Sequence, residues 1–361
     1  MTSRERELAA IRHQLPDRIP VDRISIEILP ELAGHLGIAP ERVEDELGID
    51  GRLLAPGFIA PAGEPLAATD EPGDEWGTAA LQDYGSAHRY PLAGVASVAE
   101  VERYPWPNPA DYDYEGCARV AREWGAKYAL RGPYWKPLFC RVASLFGLEE
   151  ALVKMAAEPA IFEAAIEKVT DHTAELCRRF LAACGDSVPI LCLGDDFATQ
   201  RGLMMSPEHW RRFIKPCLAR VFEVGKRMGK AVWFHSCGDV TAVLGDLIDI
   251  GIDLWETVQL HALPMTAREL KRRFGKHLAF FGGVNTQRLP FATPDEVREE
   301  TVRCIEMLGE GGGYICGPDH HIKPDVPPEN AVALFRAATV FRRESYTAQE
   351  GREITYPPHG G

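Results

Sequence analysis

Residues 231–259 read AVWFHSCGDVTAVLGDLIDIGIDLWETVQ, in which two short apolar runs, AVWFHSC (231–237) and DLWETV (253–258), flank a longer segment. Each run is too short for a helix and is apolar at adjacent positions, as expected of a strand buried on both faces. The unit recurs on either side. KYALRG (127–132) and PILCLGDD (189–196) precede it, LAFFGGV (278–284) and GYICGP (313–318) follow, and IPVDRI (19–24) stands earlier. Helical stretches between the runs begin at Ser206, at Thr293 with Glu296 placed for a capping box, and at Pro327. Buried strands separated by helices imply a parallel sheet. Seven such units predict an α/β fold, a single (β/α)8 barrel of TIM type with one strand unassigned. An open doubly wound sheet would call for a G-x-G-x-x-G turn, which the chain lacks.

The wider composition is consistent with this. The chain has 361 residues, 45% hydrophobic and 26% charged, and a net charge of −13, which argues against a nucleic-acid or anionic-membrane partner. The opening MTSRERELAAIRHQLPDRIP has no apolar signal core and no run has the length of a membrane span. With nine scattered cysteines, an odd number, the expectation is a cytoplasmic protein with reduced thiols, most of them small core side chains. No Ser/Gly linker divides the chain, so residues 1–361 are expected to form one domain. The Gly-, Pro- and acid-rich segment from Ala55 to Pro109 (55–114 with its flank) reads as an irregular insertion or lid, and 350–361 as a frayed tail. Trp210, Phe213 and Phe222 are assigned to the core.

In such a barrel, sites are built just past the C-terminal ends of the strands. The exits here are GDDFATQRG (194–202), FHSCGDV (234–240), WETVQ (255–259), GGVNTQ (282–287) and CGPDHH (316–321), and all five carry site-type groups. On a strand, His235 and Cys237 point the same way while Ser236 faces away, a pair of donors that suits zinc. The plainer alternative is a core histidine beside an inert cysteine. Cys316, His320 and His321 lie on another exit, His321 with no special claim. Asp195 and Asp196 cannot both face inward. One would enter the barrel mouth, where Asp196, Gln200 and Arg201 could grip a polar substrate, or both could simply hold loop amides and pair with Arg201. Glu256 is a candidate general acid/base, a further metal ligand, or a partner for Arg201. Gly282 and Gly283, ahead of Asn285, would let a ligand approach the backbone, or would only pack.

These motifs resemble the uroporphyrinogen decarboxylase superfamily. The resemblance rests on RERELAAIRHQLPDRIPV, GDDFATQRGLMMSPEHWRRFIKP, FHSCGDV, FFGGVNTQ with its following TPDEVR, and GGGYICGPDHHIKPDVPPEN. It spans nearly the whole chain in order, poorly from about Ala55 to Tyr114. It implies one of two chemistries. Decarboxylases of this superfamily need no cofactor and hold a polycarboxylate porphyrinogen with basic residues near the N-terminus, where this chain offers only Arg23. The cobalamin-dependent methyltransferase-like branch, the closer of the two, moves a methyl group between a corrinoid and a zinc-bound thiol, with zinc on His-x-Cys and a later Cys. His235 and Cys237 match the first two positions. Alignment on PPEN puts His320 at the third, with Cys316 four residues earlier.

The function expected is therefore a zinc-dependent methyltransferase acting between a corrinoid, carried on a separate protein, and a small thiol or methoxylated compound. Zinc would sit on His235, Cys237 and His320 or Cys316. Asp196, Gln200, Arg201, Gly283 and Asn285 would contact substrate, and Glu256 would relay a proton. One alternative is a metal-free decarboxylase using Asp195 or Asp196, and another is a non-catalytic metabolite-binding barrel. The resemblance further suggests a homodimer.

Overall fold

The computed structural model describes residues 1–59, 74–78 and 90–341. Among the described residues there are nine strands: β1 Gly51–Leu53, β2 Ala129–Pro133, β3 Ile190–Gly194, β4 Ala198–Thr199, β5 Gly202–Leu203, β6 Ala231–His235, β7 Leu254–Val258, β8 Ala279–Val284 and β9 Tyr314–Pro318. Seven form one parallel sheet in the order β1-β2-β3-β6-β7-β8-β9, while β4 and β5 make a small antiparallel hairpin. The sheet is closed by the segment around Val21. Asp22 N–H donates to the Cys316 carbonyl (3.0 Å), Cys316 N–H to that of Pro20 (2.9 Å), and Asp50 N–H to that of Val21 (2.8 Å). Val21 thus joins β9 to the chain entering β1, completing eight positions around the barrel.

Two expectations change here. IPVDRI forms an isolated bridge at Val21, not a strand. Pro20 has no N–H to give, and the Val21 N–H goes to the Asp50 carboxylate (3.0 Å) in place of a ladder carbonyl. The unassigned strand is β1, three residues without an apolar run.

Alternation sorts each strand into two faces. Ala129, Ile190, Cys192, Trp233, Leu254, Ala279, Phe281 and Ile315 pack together inside the barrel, and Ala10 and Ile11 of the helix Ser3–Ile11 plug its floor. The opposite set, including Leu191, Val232, Phe234, Trp255 and Cys316, belongs to the larger core shared with the helices. Trp210, Phe213 and Phe222 lie there as expected. The helices at Pro294–Leu308 and Pro328–Val340 start where the sequence indicates, the first with its Thr293–Glu296 capping box formed. From Ser206 the expected helix is interrupted. A π-turn, Trp210–Ile214, separates Pro207–His209 from Lys215–Arg227 and accommodates Pro216, which cannot donate a helical hydrogen bond.

Within the expected irregular insertion, Phe58 bridges Tyr112 and a short helix spans Val98–Arg103, while 60–73 and 79–89 lie outside the described residues, as does the tail 350–361. No helix among the described residues is long and apolar enough to cross a membrane.

Candidate active site

The exits of β3, β6 and β7 converge because they continue the inward alternation of their strands. Register pairs Gly194 with His235 and His235 with Glu256, side by side across three neighbouring strands. In β3, Ile190 and Cys192 face in, so Asp196 does too and Asp195 does not. In β6, Trp233 faces in, and so do His235 and Cys237, although β6 itself ends at His235.

His235 is held from both sides. Its Nδ1 lies 2.9 Å from Glu256 Oε1, and its Nε2 lies 3.2 Å from Cys237 Sγ and 3.6 Å from Asp196 Oδ1. Glu256 is fully buried, and its second oxygen accepts the indole N–H of Trp233. With Glu256 accepting from Nδ1, Nε2 is the nitrogen left to face the cleft. Burial disfavours the charged imidazole, but Cys237, Glu256 and Asp196 outweigh it and the His235 pKa stands well above its ordinary value. Burial pushes the Cys237 thiol up to about 11, against the pull of His235. Asp196 Oδ1 also accepts the Cys237 N–H (2.8 Å), which fixes the sulfur beside the imidazole. All nine cysteines are free, and Cys237 alone among them is partly exposed while the others are buried.

Asp196, His235 and Cys237 offer an oxygen, a nitrogen and a sulfur within 4.8 Å of one another, a donor set that fits zinc. The third donor nearest the pair is therefore Asp196. The His320 ring is 6.4 Å from that of His235, on the wall of the cleft, and burial with its imidazole neighbours pushes its pKa down to about 3. Cys316 does not reach the mouth. It lies mid-strand on the outward side of β9, fully buried, with its thiol pushed up to about 12 by burial.

An open cleft of about 440 Å³ lies over the pair, lined by Gln200, Cys237, Gln259, Thr286, Gln287 and His320, with exposed Phe291 at its rim. Several expected residues stand elsewhere. Asp195 points away from the mouth and accepts the N–H groups of Phe139 (2.8 Å) and Cys140 (2.9 Å), at the start of the helix Phe139–Phe146, where burial raises its pKa to about 6. Arg201 is exposed at the corner of the β4–β5 hairpin, and among the described residues it neither lines the cleft nor pairs with an acid. Glu256 is engaged by His235 and Trp233, not by Arg201, and sits on the far side of the imidazole from Cys237. Gly283 faces the helix layer, where an added Cβ would meet Leu308 and Cys304. Asn285 turns its own loop, accepting the Gln287 N–H (2.9 Å) while its N–H goes to Glu300 (2.9 Å). His321, half-exposed, lies at the cleft rim and approaches Glu27.

Sequence reasoning missed several neighbours. The exit of β2 carries Tyr134 and Trp135, both at positive φ (36° and 48°), and the Trp135 ring meets that of His235 edge-on at 5.5 Å. Backbone held in that region at a mouth is a feature of working sites. Asp319, quoted within its exit but given no role, accepts from Thr286 N–H (2.9 Å) and hydroxyl (2.7 Å) and lies 3.3 Å from His261 Nδ1. His261 Nε2 in turn lies 3.4 Å from the Gln200 amide. An Asp two residues beyond inward Gly317 was the available signal.

The family model described as uroporphyrinogen decarboxylase (URO-D) matches residues 88–341. Curated relatives include the uroporphyrinogen decarboxylase of Geotalea daltonii, 25% identical over 315 residues covering 84% of this chain and 83% of the relative. That of Pseudoalteromonas translucida is 25% identical over 264 residues, 68% of this chain and 70% of the relative. Among solved structures, a methyltransferase from Methanosarcina mazei superposes with a TM-score of 0.68 at 19% identity, over 94% of this chain and 98% of that one. At that identity the likeness is one of fold.

Proposed function

The chain belongs to the uroporphyrinogen decarboxylase (URO-D) family, and from that premise we propose that it is a zinc-dependent methyltransferase, moving a methyl group between a corrinoid carried on a partner protein and a small thiol or methoxylated compound. The observation that carries this reading is the convergence of His235 Nε2, Cys237 Sγ and Asp196 on one side of a cleft, with His235 Nδ1 anchored on Glu256. Those three would hold the zinc, with His320 the next donor on the wall. Bound there, zinc supplies Lewis acidity, which lowers the pKa of a thiol or polarises a methyl ether near neutral pH.

The chain's own residues provide the rest. Glu256 fixes the imidazole tautomer, and Asp196 fixes the Cys237 sulfur through its N–H. Gln200, Gln259 and Thr286 offer neutral hydrogen-bonding groups to a small polar substrate, with Thr286 set by Asp319. His320, neutral at physiological pH, can accept a hydrogen bond from a substrate thiol or hydroxyl.

The names of the curated relatives favour a second reading, a decarboxylase. The cleft suits it poorly. Among the described residues, Lys323 is the one lysine or arginine lining it. Arg23 is engaged by Glu44 (2.7 Å) and Asp22, so the described residues bring no cluster of free cations to a polycarboxylate. The test is elemental analysis of protein purified without added metal or a metal-binding tag. About one zinc per chain is expected, lost in Cys237→Ser and weakened in Asp196→Asn. A wild-type protein free of metal would overturn this reading and put the decarboxylase first.

A further inference from the structure

A second cavity, of about 610 Å³, opens at the other end of the barrel, beside the starts of β3 and β6 and the turns leading into β7 and β8. Its walls carry Arg12, His13, Lys226, Lys230, Lys276 and His277 against one acid, Asp253. This is a local reversal of charge in a chain of net −13.

Basic side chains are common where helices end, because they complement the carbonyl ends of the helix dipoles. That accounts for part of the set. Lys226 pairs with Asp253 (2.6 Å), and Lys230 donates to the Gly185 carbonyl (2.8 Å). It does not account for the remainder. Arg12, His13, Lys276 and His277 have no side-chain hydrogen bond or ion pair among the described residues. His13 is further crowded by Lys271 and His277, which, after burial, hold its pKa below the ordinary value. Like charges gathered in a concavity with their one acid already engaged focus a positive potential into it.

We infer that this cavity is a binding site for a small anion carrying phosphate, separate from the cleft at the mouth and independent of the function proposed for it. Its unpaired cations, Arg12 and Lys276, come from two elements, the residues that follow the helix Ser3–Ile11 and the turn ahead of β8, and share one lining with Lys226 and Lys230. A phosphate group, with its several charged oxygens, can meet donors from more than one of these elements.

Titration calorimetry of the full chain with inorganic pyrophosphate, at low and at physiological salt, tests this. One saturable site is expected, weaker at higher salt. Arg12→Ala combined with Lys276→Ala should weaken it by about tenfold or more. Both positions are exposed, so the fold should survive, which circular dichroism checks. Cys237→Ser should bind as the wild type does. Equal affinity in the double variant, or no saturable binding at low salt, would overturn the site. Tighter binding of citrate than of pyrophosphate would overturn the phosphate assignment.

Discussion

The two ends of the barrel bury carboxylates in opposite ways. At the floor, Asp22 is fully buried against the equally buried Arg131, with Arg23 alongside. Burial alone would raise its pKa, but the two guanidiniums outweigh burial and hold it below the ordinary range. At the mouth, Glu256 is just as buried, but it faces an imidazole whose other nitrogen is left toward the cleft. The floor pair closes on itself and leaves nothing to offer a ligand. The mouth carboxylate acts through His235, and its effect appears at an atom a substrate or metal can reach. A buried acid in a barrel is thus informative only when the far side of its partner is known. The two arrangements also touch, since Arg131 stacks 4.5 Å over the Trp233 ring whose N–H holds Glu256.

The harshest test of the contrast is Arg131→Met. It leaves Asp22 buried without its main partner and should cost roughly 3–5 kcal/mol in denaturant unfolding. Adding Asp22→Asn should recover most of that loss, because a neutral floor no longer needs the cation. If the double variant folds and binds zinc as the wild type does, floor and mouth are separate devices. Lost zinc binding in a well-folded double variant would mean that the stacked Arg131 also sets the Trp233–Glu256 contact, and that floor and mouth act as one device.

At the mouth, Glu256→Gln keeps the shape of the side chain and removes its charge. Outer partners of metal-bound histidines are worth about 10–100-fold in metal affinity, and a loss near the lower figure is expected here by chelator competition. Stability should change less than in Arg131→Met, since glutamine can still accept from Nδ1. Unchanged zinc affinity in the folded variant would show that Glu256 is a structural acid like Asp22.

Much of this site was legible because strand alternation runs past the end of a strand. His235 with Cys237, and Asp196 against Asp195, follow from counting by two along β6 and β3. The count fails where the backbone leaves extended geometry. Gly282 and Gly283 have φ of 106° and 96°, so the inward phase set by Phe281 is lost and Gly283 turns to the helices. Gly202, at φ 117°, closes the β4–β5 hairpin and leaves Arg201 at an exposed corner. β1 escaped notice because Gly51, Arg52 and Leu53 have no apolar pattern, and Arg52 bonds the Ile49 carbonyl (2.9 Å) and Asp45 (2.7 Å) from a strand that reads as polar. Tyr134 and Trp135 escaped because RGPYW carries no acid or histidine at its exit. Cys316 was misjudged by phase alone, one residue from inward Ile315.

The mildest test concerns a second floor carboxylate, Glu7, on the helix that plugs the barrel. It is fully buried, and its carboxyl lies against that of Asp22. Burial raises its pKa well above the ordinary value, and the negative charge of Asp22 adds to this while Arg131 opposes it. With Asp22 and Glu7 both facing Arg131, the neutral acid is the form the floor accepts. A carboxyl whose pKa is higher in the folded state contributes stability that is complete below its unfolded pKa, about 4.3, and is lost as pH rises through the folded value. Glutamine mimics the neutral acid and does not titrate. Glu7→Gln should therefore match the wild type near the unfolded pKa and gain on it as pH rises, by at most about 1.4 kcal/mol per unit until the folded pKa is passed. Urea unfolding of both proteins at a series of pH values reads this directly. A difference that stays flat across that range would mean that Glu7 is ionised in the folded barrel, and that the floor accommodates a second charge as the mouth does.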